Sequence, residues 1–109
     1  MAKGYWIASV DVSDPEAYAA YVRENAVAFA KYGARFLVRG GTVEAVEGSM
    51  RSRIVVLEFP DRATALACYH SPEYAKAKAL RAGASAADVV VVEGYDGMQP
   101  GSDADGRFS

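Results

Sequence analysis

The segment Tyr69-His70-Ser71-Pro72-Glu73-Tyr74 gathers much of the side-chain chemistry that this chain offers. Ser-Pro-Glu restarts a helix, and a helix break leaves backbone N–H groups free to meet a ligand. His70 is the only histidine, and no other side chain titrates near neutrality unperturbed, so it is the candidate catalytic residue. Tyr74 lies about one helical turn on and Arg81 about three. Tyr69, His70, Tyr74 and Arg81 could therefore rim a pocket in which Arg81 holds an anion while His70 moves a proton. The plainer alternative makes His70 a surface residue and Arg81 a cation meeting the helix macrodipole. Arg39, beside Gly40-Gly41, is a further ligand-binding candidate, because the glycines let backbone approach its guanidinium closely. It could equally form an ion pair with Glu47 or Glu58. Glu58 and Glu93 interrupt apolar strands, so each is half of a salt bridge or a functional acid.

Other chemistries find little support. One histidine and one cysteine fall short of a zinc or transition-metal ligand set, so neither a metal nor a cofactor is expected. Cys68 sits in the alanine-rich run Ala63 to Tyr69, where a free cysteine behaves as a small apolar residue. No neighbouring base favours its thiolate. A net charge of -2 argues against nucleic acid or an anionic membrane as the main partner. The opening apolar stretch is cut by Asp11, too short for a signal-peptide core or a membrane span, so the expected location is cytoplasmic.

The elements that must position these residues follow from periodicity. Tyr5 to Val12 alternates, with Trp6, Ala8, Val10 and Val12 on one face. Ser13 or Asp14 caps a helix with Pro15 in its first turn, and Tyr18, Val22, Asn25, Phe29 and Tyr32 make its buried stripe up to Gly33. Arg35 to Arg39 forms a short strand, Gly40-Gly41 a bend or bulge, and Thr42 to Val46 continues extended. Arg53 to Phe59 is the clearest strand. Pro60-Asp61 starts a helix that breaks at His70-Ser71 and resumes to about Ala82, and Asp88 to Gly94 is the last strand.

This order is that of an α+β, ferredoxin-like βαββαβ domain: a four-stranded antiparallel sheet with two helices on one face. One domain spans residues 1–96, and a polar C-terminal tail covers 97–109. Ile54 to Leu57 and Val89 to Val92 are apolar at every position, so both faces of the sheet call for burial, while two helices cover only one. At ~25 cal/mol per Å² of apolar surface, an uncovered row of Val and Ile forfeits several kcal/mol. A second copy stacked sheet to sheet is the expected cover, through Ile54, Val56, Val90 and Val92.

Several segments, in order, resemble the DUF1330 family. They are Lys3 to Trp6, Asp14 to Tyr18, Tyr32 to Gly41, Val46 to Gly48, Val56 to Pro60, Ala65 to Tyr69, Ser71 to Tyr74 and Val89 to Gly94. The resemblance covers roughly residues 3 to 95 and implies a dimeric α+β barrel. About activity it implies little, because relatives of that fold include cofactor-free monooxygenases and lactone isomerases alike. The functional expectation is a homodimer that binds or transforms a small organic metabolite, an anion if Arg39 and Arg81 take part. The alternative is a non-catalytic dimeric module. RNA binding is disfavoured, since Arg53 to Phe59 lacks the paired aromatics on which bases stack.

Overall fold

The computed structural model describes residues 2–101. Strand β1 (Gly4–Val12) leads into helix α1 (Pro15–Lys31), strands β2 (Arg35–Arg39) and β3 (Arg53–Phe59), helices α2 (Arg62–Tyr69) and α3 (Pro72–Leu80), and strand β4 (Ser85–Glu93). The strands form one antiparallel sheet in the order β2-β3-β1-β4, which is the ferredoxin-like fold with its second helix split in two. Residues 102–109 of the expected tail lie outside the described residues.

Capping chemistry sets the helix boundaries. Asp14, not Ser13, caps α1, its Oδ1 accepting from the Ala17 N–H at 3.2 Å. Asp61 does the same for α2 through the Thr64 N–H at 2.7 Å. Ser71 holds the α2–α3 break from both sides: its hydroxyl donates to the Cys68 carbonyl at 2.7 Å and accepts the Tyr74 N–H at 3.0 Å. That buried serine fixes where Tyr74 leaves the helix. Nearby Cys68 is fully buried, and burial, with Glu73 adding to it, pushes its thiol up to about 12.

All three helices cover the same face of the sheet. The core joins Trp6, Ala8 and Val10 of β1 and Leu57 and Phe59 of β3 to residues such as Phe29, Ala65 and Tyr74 from the helices. Across the opposite face Ile7 sits between Val56 and Val90 in register, and Tyr5 between Glu58 and Val92. Ile7, Val90 and Val92 are 39%, 56% and 42% exposed, so the second apolar face is bare in the single chain.

Three local features depart from expectation. The β2–β3 ladder is irregular at Leu37, with Phe36 opposite Leu57 but Val38 opposite Val56, so the bulge precedes the glycines instead of sitting on them. Thr42 to Val46 forms no strand, because β3 does not begin until Arg53 and offers those residues no ladder. Instead the chain crosses one end of the bare face, where the Arg51 N–H donates to Ser9 Oγ at 3.0 Å and its guanidinium to Asp11 and Asp88 at 3.0 and 2.9 Å. Finally, β4 starts at Ser85, because β1 supplies partners as far as Val12. The weak strand propensity of the alanines there conceals this extension.

Two predictions follow from this frame. Gly40 has φ +67°, and the place its Cβ would occupy is taken by the Arg53 guanidinium. Gly40→Ala should therefore cost about 1–2 kcal/mol in urea unfolding, whereas a change of a few tenths would show that neither constraint holds. The Asp11 carboxyl is held below its usual range chiefly by the Ser52 backbone N–H, with burial opposing and Arg51 assisting. A carboxyl lowered in the folded state stabilises above its unfolded pKa and loses that contribution as pH falls through the folded value. Amide protection at Ser52, corrected for intrinsic exchange, should thus fall between about pH 7 and about pH 3; constant protection would mean that Asp11 does not anchor the loop.

Candidate functional site

Strand parity and the bulge bring three guanidinium groups to one cavity. Arg53 pairs with Val10, a core-face residue, so it shares the covered face with Val55, Leu57 and Phe59. In a regular strand Arg39, three residues after Phe36, would point to the opposite face. The extra residue at Leu37 reverses that parity, sets Arg39 opposite Val55, and lays its guanidinium over the Phe36 ring at 4.1 Å. Arg81 caps the C-terminus of α3 and turns inward over the Tyr21 ring at 5.3 Å. Arg53 in turn lies 5.7 Å from the Tyr18 ring centroid.

The cavity they border lies between the sheet and helices α1 and α3, on an apolar floor that includes Trp6, Phe29, Leu57 and Val89. It holds about 500 Å³ of empty space with its open mouth included, of which only about 30 Å³ admits the centre of a water-sized sphere. As closed, it has room for roughly two waters. A larger guest needs lining side chains to move, and Arg39, Arg53 and Arg81 are the long, flexible ones among them.

Its polar contents are distinctive. The Tyr21 and Tyr74 hydroxyls lie 2.8 Å apart, and Arg81 donates to the Tyr74 oxygen at 3.4 Å. Burial, reinforced by Tyr74, pushes the Tyr21 phenol far above its ordinary value, so it stays neutral. Asn25 is 5% exposed and its carboxamide meets the Tyr21 phenol, while among the described residues nothing accepts from the buried Arg53 Nε. Among the described residues the ion pairs within 4.0 Å involve Lys31, Arg35, Arg51 and Lys76, not Arg39, Arg53 or Arg81. The cavity is therefore cationic inside a protein whose net charge is -2.

Of the sequence-predicted residues, Arg39, Tyr74 and Arg81 line this cavity. Tyr69 and His70 do not. Tyr69 packs in the core, 5.6 Å from Trp6 and 5.3 Å from Tyr74. His70 is exposed at the C-cap of α2, edge-on to Tyr69. Arg39 pairs with neither Glu47 nor Glu58: Glu58 accepts from the Tyr5 hydroxyl at 3.2 Å and faces Arg35 at 4.0 Å. Tyr21, Asn25 and Arg53 join the site unannounced, although two carried a signal. Asn25 is the polar member of an apolar stripe, and Arg53 has the parity of Val55 and Leu57. Among the described residues no histidine or carboxylate lines the cavity, so its groups can bind an anion or donate hydrogen bonds but not take up a proton at neutral pH. Among the described residues no cluster of three or more His, Cys, Asp or Glu could hold a metal ion.

Comparison with known proteins agrees with this architecture. RPA0582, a protein of unknown function from Rhodopseudomonas palustris, superposes with a TM-score of 0.68 at 20% identity, covering 91% of this chain and 85% of its own. SnoaB, a cofactor-independent oxygenase from Streptomyces nogalater, superposes at 0.56 with 12% identity, covering 91% and 96%. At these identities the likeness establishes the fold alone. No curated protein matches the sequence. The domain of unknown function DUF1330 matches residues 3–95, and the chain belongs to that family.

Proposed function

We propose that this protein is a homodimer that binds a small organic anion, without a metal, in the cavity between α1, α3 and the sheet. The observation that carries the reading is the convergence of Arg39, Arg53 and Arg81 on one apolar cavity with no carboxylate partner among the described residues. Like charges gathered in a partly desolvated space repel, and a bound anion relieves that cost. Aromatic rings under the guanidinium groups hold them meanwhile through cation–π contact, at ~0.5–1 kcal/mol each where exposed. Arg39, Arg81 and Tyr74 are the ligand-binding side chains of this reading, together with Arg53. His70 and Tyr69 lie outside it.

Self-association rests on the row Val56-Ile7-Val90 and its neighbours Ile54 and Val92, which the helices leave uncovered. The size of that loss argues for a second copy, since the wrong side of a small sheet cannot stay wet without consuming much of its stability. Cytosolic residence fits a chain whose lone cysteine is buried and free. Among the described residues no helix is long and apolar enough to cross a membrane.

A panel of small carboxylates screened by thermal unfolding tests the ligand. One that binds at a hundred times its Kd should raise Tm by roughly 10 °C, and Arg81→Met should erase the rise. Retention of the full shift in that variant would place binding elsewhere. For the dimer, light scattering should report twice the chain mass, and Val90→Asp should yield the monomer; a monomeric wild-type protein would refute sheet-face pairing.

A further inference from the structure

The closed cavity takes the head of an organic anion but not its body. Room for roughly two waters matches the two oxygens of a carboxylate and leaves none for a carbon skeleton. Beside it runs an open groove, in which about 410 Å³ admits the centre of a water-sized sphere against about 30 Å³ inside. Tyr18, Val22 and Arg53 line both spaces, so the two adjoin. Arg53, 5.7 Å from the Tyr18 ring centroid, stands at the junction, and its buried Nε–H has no acceptor among the described residues. Beyond the junction the walls are apolar: Val12 at the end of β1, and Pro15, Ala19 and Val22 on α1, spaced as one helical stripe. The only charged residues lining the groove are Arg23 and Arg53. From Val22 back to Pro15 is about 10 Å of helix, the reach of an extended chain of about eight bonds.

We infer that the ligand is a straight-chain monocarboxylate of about eight carbons, its carboxylate in the cavity on Arg53 and the neighbouring guanidinium groups, its alkyl chain in the groove along α1. The inference rests on the anion-binding reading above and deepens it. A dicarboxylate of that length would bring its second charge against Val12, Pro15 and Ala19, where it loses water. Arg23 is exposed, and an ion pair with it would return little.

Calorimetric titration of the full chain with butyrate, hexanoate, octanoate and decanoate reads the chain length. Affinity should rise about two- to threefold per methylene as far as about eight carbons and then level, since an open groove buries each methylene in part. Ala19→Trp, at an exposed helix position, should fill the groove and flatten that rise while butyrate still binds. Octanol and octanedioate should each bind at least about tenfold more weakly than octanoate, the first for want of a charge and the second for its excess. Equal affinity along the series, an unchanged rise in Ala19→Trp, or octanedioate matching octanoate would overturn this inference and leave anion binding standing. Octanol matching octanoate, or failure of every acid to bind, would overturn both.

Discussion

Trp6 is the contact on which the rest of the molecule depends. It stands on β1, one of the two inner strands, and is 2% exposed. Its ring meets Phe29 of α1 at 5.2 Å, Phe59 of β3 at 5.4 Å, Tyr69 of α2 at 5.6 Å and Tyr74 of α3 at 4.9 Å. Each such pair contributes about 0.5–1.5 kcal/mol beyond the area it buries. Its indole N–H donates to the Ala65 carbonyl at 2.8 Å, which ties α2 to the sheet directly. One side chain thus touches every helix. It also sets the depth at which Tyr74 lies, and so the position of the hydroxyl that meets Tyr21.

From that anchor the two faces of the sheet diverge. The helix side is filled by aromatic rings except near Arg39, Arg53 and Arg81, where the packing opens and the interior becomes polar. The other side carries a strip of Ile and Val with an Arg51–Asp11–Asp88 cluster at one end. The two are coupled through strand parity: each core-facing residue of β3 alternates with one on the bare face. Arg53 and Ile54 are neighbours in sequence that serve opposite surfaces.

Much of this was legible beforehand. Element order, the Asp14-Pro15 helix start, the break at His70-Ser71 and the facing of Trp6, Ala8 and Val10 follow from local rules of capping and alternation, which act over a few residues. What stayed hidden depends on pairing between distant segments. The bulge at Leu37 exists only in register with β3, so nothing in the run Arg35 to Arg39 announces that Arg39 joins the face of Phe36. Arg53 shares the parity of Val55 and Leu57, but as the first residue of its strand it gave no sign of staying inward, which its place against Val10 and Gly40 decides. Tyr21 and Tyr74 are separated by 53 positions and meet because Trp6 and Ser71 hold their helices. His70 attracted notice for its chemistry, yet the helix break that suggested it points its ring to solvent, since Ser71 uses the inward position for capping.

The central claim is that Arg39, Arg53 and Arg81 act together on one anion. Arginine Nε–H NMR during titration of the full chain with octanoate reads those groups individually. The account predicts that the Arg53, Arg81 and Arg39 signals move together and saturate at a common concentration, while those of Arg23, Arg35 and Arg62 stay in place. Small shifts shared by all arginines, growing without saturation, would contradict it.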